Sequence, residues 1–200
     1  MRKITRQPTR KPVKPRRIAL RTGETRARIL AAAKVRFSRD NYDNVGVRDI
    51  ASDVGVDAAL VNRYFGTKAR LFEEVLKDAF CMEEHVPPGL DSLGRHIAGK
   101  LTSSRSGCKW CENGDPLQLL LLAAASPTAS TLASKAFHAE FVKPLTRRLR
   151  GPDAALRASL ICAYILGFKT MRAALDSPSL RNASSAAIAA RLGKAIQDCV

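Results

Sequence analysis

The stretch that decides the fold of this 200-residue chain is VRDIASDVGVDAALVNRYF, residues 47–65. Its first part carries apolar residues at helical spacing up to Val54, Gly55 then interrupts the pattern, and Asp57 can cap a second helix over residues 58–65. Two short helices joined by a tight turn predict a helix-turn-helix, whose second helix can enter a DNA major groove while the first lies across the backbone. A plain helical hairpin has the same periodicity, so the spacing alone leaves both interpretations open.

The second of these helices carries residues suited to contact with bases. Its projecting face has no large apolar side chain and holds Ala58, Ala59, Asn62 and Arg63. Asn can pair with adenine and Arg with guanine through two hydrogen bonds each, and each such contact discriminates against a wrong base by about 1–3 kcal/mol. We therefore expect these four residues to read DNA, while Ile50, Val54 and Leu60 pack the two helices together.

Helical spacing of apolar residues continues on both sides of this stretch. One helix is expected over about residues 22–41 and another over about residues 67–80, before the two prolines at positions 87 and 88. Further helices are predicted at about residues 90–104, 116–125, 128–149, 153–176 and 184–199. No segment alternates with a period of two between turn residues, as a strand would. The sequence therefore predicts an all-α fold of about nine helices.

Positive charge is concentrated at the N-terminus. The chain holds 34 Lys and Arg against 18 Asp and Glu, a net charge of +16, and nine of the basic residues lie within residues 1–22, which contain no acidic residue. Prolines at positions 8, 12 and 15 argue against a helix, so we expect residues 1–21 to form a basic, disordered arm. So basic a chain favours nucleic acid or an anionic membrane surface as its partner.

On DNA, an arm of this kind reaches the minor groove or follows the phosphates. A protein that coats DNA without regard to sequence, driven by the arm and the net charge, is an alternative from a different functional class.

The sequence gives no support to several other protein classes. No apolar segment of signal-peptide length follows the basic start, and the longest apolar run, residues 117–125, is too short to span a bilayer. His85, His96 and His138 have no Ser or Cys partner at a spacing typical of nucleophilic catalysis, and there is no glycine-rich phosphate loop. We expect a cytoplasmic protein that is not an enzyme, uses no cofactor and has no membrane partner.

Cysteine usage leaves one further alternative open. Cys108 and Cys111 form a CxxC pair, which can be half of a zinc site or a redox pair. A zinc site needs four ligands, and the chain has neither a second CxxC nor paired histidines, so no metal site is predicted. A thiol-based redox sensor remains the alternative function, whereas Cys81, Cys162 and Cys199 are expected to be small core residues.

The N-terminal third resembles a known family. The segments TRARILAAA (25–33), VRDIA (47–51), GVDAALV (55–61) and YFGTKARLF (64–72) are similar, in order and spacing, to the DNA-binding domain of the TetR/AcrR family of bacterial transcriptional regulators. The similarity runs through residues 22–80 without gaps. The later segments FVKPL, from Phe141, and GPDAALR, from Gly151, with Gly167 beyond them, resemble a C-terminal regulatory domain of the same family.

The resemblance implies roles for individual residues. Thr25, Tyr64 and Lys68 match phosphate contacts of the family, Arg48 lies in the matched VRDIA segment and joins the DNA-binding set, and the four residues of the second helix match its base-facing surface. The family usually has Thr-Ser before VRDIA, where this chain has Val45 and Gly46. Gly accepts the N-cap position but makes no side-chain contact, and the operator sequence cannot be transferred from relatives.

The resemblance also implies the domain plan and the partners. A DNA-binding domain over residues 22–82 would be followed by a ligand-binding and dimerisation domain over residues 83–200, with a homodimer formed through the helices near 153–176 and 184–199. Such a dimer binds a palindromic double-stranded DNA operator, usually as a repressor, and is released by a small hydrophobic effector. The expected lining of the effector pocket is Phe80, Ile97, Trp110, Leu121, Phe141, Tyr164 and Phe168.

Overall fold

The structure is a computed structural model that describes residues 15–77, 79–103 and 114–200, with the backbone alone for residues 15–22. Throughout these residues the chain is helical and contains no β-strand, as predicted. The N-terminal unit consists of four helices, namely α1 (Pro15–Phe37), α2 (Val47–Val54), α3 (Ala58–Phe65) and α4 (Lys68–Leu76). A 3-10 turn over Tyr42–Asn44 joins α1 to α2.

The rest of the described chain forms a second group of helices. In order these are α5 (Met82–His85), α6 (Leu93–Thr102), α7 (Pro116–Ala124), α8 (Pro127–Phe137), α9 (Lys143–Arg148), α10 (Ala154–Lys169), α11 (Pro178–Asn182) and α12 (Ser185–Gln197). The most extensive packing joins α6 to α12, α7 packs on α8, and α10 packs on α9 and α12. Buried apolar residues form one continuous core from α1 through α12.

An aromatic cluster fixes the N-terminal unit. The rings of Phe37, Tyr42 and Phe72 lie 4.9–5.7 Å from one another, and all three residues are buried. These residues come from α1, the 3-10 turn and α4, so burial of their large apolar surface ties together three elements that are distant in sequence. The cluster thereby holds α4 against α1. Because α3 directly precedes α4, the cluster also helps to fix the position of α3.

Helix α1 begins seven residues earlier than predicted. The sequence predicts an arm over residues 1–21 and a helix from about residue 22, whereas the helix starts at Pro15. The prediction treated Pro15 as a helix breaker, but proline is well tolerated at the first helical position, where no intrahelical N–H bond is lost and its fixed φ suits the helix. Residues 1–14 of the expected arm lie outside the described residues.

The helix predicted over residues 67–80 ends early, at Leu76. Lys77 is extended (φ −59°, ψ 131°), and the backbone N–H of Phe80 donates to the carboxylate of Glu140, 3.2 Å away, instead of to a helical carbonyl. Beyond the end of α4, the Phe80 N–H is therefore bonded to a side chain sixty residues further along the chain, and α5 follows as a separate turn. No local sequence pattern predicts a contact between residues so far apart in the chain.

Two predicted long helices contain π turns. The helix predicted over 128–149 becomes α8 and α9 with a π turn at His138–Val142, where the N–H of Lys143 donates to His138. Pro144 follows immediately and cannot donate a backbone bond, which favours the local rearrangement. The helix predicted over 153–176 likewise passes from α10 into a π turn at Thr170–Ala174.

Candidate nucleic-acid interface

Helices α2 and α3 form the predicted helix-turn-helix. Gly55 ends α2 in the left-handed conformation (φ 69°, ψ 40°), which glycine adopts without steric cost. Asp57 then caps α3, with its carboxylate accepting from the N–H of Ala59 at 2.6 Å. Ile50 and Val54 are buried between the helices as predicted, but Val61, 1% exposed, takes the innermost position of α3 while Leu60 is only half-buried.

The outward face of α3 is small and polar. Ala59, Asn62 and Arg63 are exposed, and their spacing of three and four residues places them on one side of the helix. Ala58 is half-buried at the start of α3, and Arg48 is exposed on α2. Within the described part of the chain, the side chains of Asn62 and Arg63 make no hydrogen bond or ion pair, so their donors face solvent.

The three other predicted DNA contacts come from α1, α3 and α4. Thr25 is half-buried on α1. Tyr64, near the end of α3, is also half-buried, with its ring 6.3 Å from that of Phe65. Lys68 is the first residue of α4, and its ammonium lies 4.3 Å from the ring centre of Tyr42 and 3.4 Å from the carbonyl oxygen of Asp43. Burial lowers the pKa of Lys68, and the Asp43 charge opposes this effect.

Arginines of α1 bind α2, α3 and α4 to α1. This role was not identified from the sequence. Arg26 pairs with Glu74 at 2.8 Å and stacks 4.8 Å from the ring centre of Phe65. Arg28 donates to the carbonyl oxygen of Val54 at 2.9 Å, at the C-terminal end of α2 where a cation is favourable.

Arg36 holds Asp53 through two bonds of 2.6 and 2.7 Å, which lowers the pKa of that carboxyl. These partners lie 17 to 48 residues away from the arginines, so no spacing in the sequence signals them.

The start of α2 compensates for the missing Thr-Ser pair. Gly46 occupies the N-cap with no side-chain bond, but its own N–H donates to the carboxylate of Asp49 at 3.0 Å. A Cβ at Gly46 would lie 2.7 Å from that carboxylate oxygen, a flexible side-chain end. Glycine therefore allows Asp49 to fold back onto the helix start, where its negative charge is favourable.

The predicted effector pocket is only partly assembled. The ring centres of Phe80 and Phe141 lie 5.3 and 5.6 Å from that of Phe137, and the three residues form a buried aromatic cluster. Ile97 and Phe168 are buried on α6 and α10, and Leu121 is half-buried on α7.

One further member of the predicted lining faces solvent. Tyr164 is 40% exposed on α10, and Trp110 lies outside the described residues, as does the Cys108–Cys111 pair. A groove of about 500 Å³ between α6 and α12 contains none of the predicted lining residues.

Basic groups lie beside this aromatic cluster. The ring of His85 is 6.5 Å from that of Phe141, and burial lowers the pKa of His85, with the charge of Lys100 adding to the effect. Burial also lowers the pKa values of His96 and of Lys100, whose ammonium donates to the carbonyl of Glu84.

Among the described residues, Cys81, Cys162 and Cys199 are free thiols, and no group of three or more potential metal ligands occurs. Burial raises the pKa of Cys162 to about 12.

One face of α10 is apolar and exposed. Leu156, Leu160, Tyr164, Met171 and Leu175 are each at least 40% exposed and recur along the helix and the following π turn at spacings of four or seven residues. The segment Ala154–Ala174 is long and apolar enough to cross a membrane by length and composition alone, so residues 117–125 are not the strongest such candidate. These two criteria do not separate a membrane span from a helix that packs against protein. We call the five residues the α10 stripe.

Comparison with protein families gives two matches that together cover most of the chain. A model described as "Bacterial regulatory proteins, tetR family" matches residues 29–75. A model described as "Tetracyclin repressor-like, C-terminal domain" matches residues 91–200. No curated protein matches the chain.

Several solved structures are similar to the chain over most of its length. A TetR-family regulator from Streptomyces coelicolor shares 27% identity, with 88% of this chain and 94% of that chain covered and a TM-score of 0.54. A transcriptional regulator from Rhodococcus sp. has 19% identity, coverages of 87% and 95%, and a TM-score of 0.63. NalD, the secondary repressor of the MexAB-OprM multidrug efflux pump in Pseudomonas aeruginosa, has 17% identity, coverages of 89% and 97%, and a TM-score of 0.57.

Proposed function

Since the chain belongs to the tetR family of bacterial regulatory proteins, and is therefore a DNA-binding transcriptional regulator and not an enzyme, we propose that it is a ligand-responsive repressor. It acts in the cytoplasm, binds a palindromic operator as a homodimer, and is released by a small hydrophobic effector. The observation that carries the proposal is the α2–α3 unit, which combines a fixed turn at Gly55 with an exposed face of Ala59, Asn62 and Arg63.

Sequence reading is assigned to α3. An exposed Asn and an exposed Arg on one helical face can each form two hydrogen bonds with a purine in the major groove. The small side chains of Ala58 and Ala59 let the helix approach the base edges. Thr25, Arg48, Tyr64 and Lys68 contact phosphates around this helix, and such contacts fix its register without reading sequence. The basic residues near the N-terminus add further phosphate contacts.

The α10 stripe supports the homodimer. Five large apolar side chains exposed along one helical face are unusual on a soluble monomer and mark a surface that another protein covers. A second copy of the chain, related by a twofold axis, covers the stripe with its own and thereby places two α3 helices on successive turns of DNA, about 34–36 Å apart.

The aromatic cluster of Phe80, Phe137 and Phe141 supports the position of the effector site. One of its members, Phe80, follows α4, the helix that joins the DNA-binding unit to the rest of the chain. An effector that binds more tightly to a state with wrongly spaced α3 helices shifts the population to that state. A broad panel of apolar compounds should therefore contain one that raises the melting temperature, and a panel without any such compound would contradict this part of the proposal.

The main test is DNA binding across a salt series. The probes are a duplex selected by the wild-type protein from a random-sequence pool and an unrelated duplex of equal length. We expect the selected duplex to bind at least ~10³-fold more tightly. Asn62→Ala and Arg63→Ala should each weaken binding to the selected duplex by roughly tenfold for each half-site, because a base contact is lost.

The matched controls, Asn182→Ala and Arg147→Ala, change exposed residues of the same types on α11 and α9 and should leave both affinities unchanged. Equal binding to both duplexes, vanishing as salt rises, would contradict the proposal and indicate a protein that coats DNA without regard to sequence.

A further inference from the structure

Tyr42 is a rigid aromatic residue at the edge of the candidate DNA-binding surface. It opens the 3-10 turn between α1 and α2, which Asn41 caps by accepting the N–H of Asp43 at 2.9 Å. Its ring is stacked on Phe37 at 5.7 Å and meets the edge of Phe72 at 5.0 Å, and the residue is 8% exposed. Phe37 and Phe72 therefore restrict rotation of the Tyr42 ring and fix the direction of its remaining face.

The ammonium of Lys68 lies against this ring, 4.3 Å from its centre, and also donates to the carbonyl oxygen of Asp43 at 3.4 Å. Lys68 is the first residue of α4, where the partial positive charge of the helix N-terminus disfavours a cation. The negative face of the ring and the carbonyl oxygen offset this repulsion. An ammonium has three donors, so the ring and the carbonyl hold it while leaving donor capacity for an anion.

We propose that Tyr42 is a positioning residue for DNA binding, whose ring holds the Lys68 ammonium ready to receive a backbone phosphate. The inference rests on the proposed function, in which Lys68 contacts phosphate. Without the ring, the four-carbon side chain of Lys68 samples many rotamers and is pushed away from the start of α4, so part of the phosphate contact is lost to side-chain entropy. Burial of the ammonium, which lowers the pKa of Lys68, also strengthens its attraction for an anion.

The test changes the charge distribution of the aromatic ring at position 42 while nearly preserving its shape. Tyr42→Phe keeps the negative ring face, whereas pentafluorophenylalanine at position 42 reverses its polarity with nearly the same volume. Both variants are made with Lys68 and with Lys68→Met, and binding to the selected duplex is measured across a salt series. Melting temperatures verify that each variant folds.

We expect Tyr42→Phe to bind like the wild type and the fluorinated ring to weaken binding by about twofold to fivefold for each subunit. In the Lys68→Met background the fluorinated ring should have no further effect, because the group it positions is gone. Lys68→Met itself should reduce the slope of log affinity against log salt by about one for each subunit. Proton resonances of the Lys68 side chain in the free protein should show a ring-current shift that the fluorinated ring alters.

The outcomes separate the two proposals. An equal loss from the fluorinated ring in both backgrounds, or wild-type Lys68 resonances without a ring-current shift, would overturn the positioning role of Tyr42. A Lys68→Met variant with wild-type affinity and salt slope would instead remove Lys68 from the phosphate contacts, and with it the premise on which the positioning role rests.

Discussion

His85 is a half-buried histidine whose protonation is unfavourable in the folded protein. It ends α5, beside Phe141, and burial holds its pKa below the ordinary value of 6.5, with the charges of Lys100 and His96 lowering it further and Glu84 opposing them. A base with a lowered pKa in the folded state binds fewer protons there than in the unfolded state. Its contribution to stability is therefore complete above pH 6.5 and is lost as pH falls through the lowered pKa.

A pH series tests this. The wild-type melting temperature should fall as pH drops from about 7 to about 5, and His85→Gln should show a shallower fall because the group that gains a proton on unfolding is absent. His138→Gln is the control, since His138 is exposed and bonds only within its own helical segment, to Ser134 at 2.9 Å. If the melting temperature of His85→Gln falls with pH as steeply as that of the wild type, His85 does not cause the pH dependence.

At the scale of elements, the packing of α6 on α12 depends on direct backbone contact. A Cβ at Gly94 would lie 1.9 Å from the carbonyl oxygen of Gly193, nearer than any side chain can approach. Gln197 fixes the pair, accepting the N–H of Gly94 and donating to the carbonyl of Leu90, both at 3.0 Å. Ser92 makes no capping bond, so α12 supplies the cap that α6 lacks in its own sequence.

The glycines of α6 make a matched pair for mutation. Gly94→Ala should lower the free energy of unfolding by about 1–3 kcal/mol or more, since the two backbones must separate. Gly99→Ala, on the same helix and with open space around its Cβ, should raise it by up to ~1 kcal/mol through helix propensity. Urea denaturation of both variants checks the prediction, and a change of the same sign in both would show that helix propensity, not backbone contact, governs α6.

For the molecule as a whole, the proposed dimer predicts that changes to the α10 stripe alter both oligomeric state and DNA affinity. Leu160→Glu places a charge at a position 42% exposed in the single chain, so the subunit should fold normally while the dimer dissociates. Because the two half-sites are then bound independently, operator affinity should fall on the order of a hundredfold. Ala139→Glu introduces the same charge at an exposed position of the His138–Val142 π turn and serves as the control.

Sedimentation and DNA binding measured together test this link. A Leu160→Glu variant that remains dimeric, or that becomes monomeric with unchanged operator affinity, would contradict the role of the stripe.

The all-α class, the α2–Gly55–α3 unit and the polar face of α3 could all be predicted from the sequence. Helical periodicity, the Asp57 cap and the left-handed turn at Gly55 are local, because each depends on bonds within a few residues. For the same reason the position of Asn62 and Arg63 on one face could be predicted from their spacing alone. The family segments are likewise continuous in sequence, and comparison with family models confirmed them.

Features that depend on distant partners could not be predicted and became visible in the folded chain. Glu140 accepts the N–H of Phe80 beyond α4, Arg28 ties α1 to α2, and Gln197 caps α6. The predicted pocket residues are all apolar or aromatic, and this property does not determine which residues they contact. Phe141 packs in an aromatic cluster, whereas Tyr164 is exposed on α10. Contacts between residues 26 to 103 positions apart produce no periodic pattern in the sequence from which they could be predicted. The partners meet because whole helices pack together, not because of local backbone geometry.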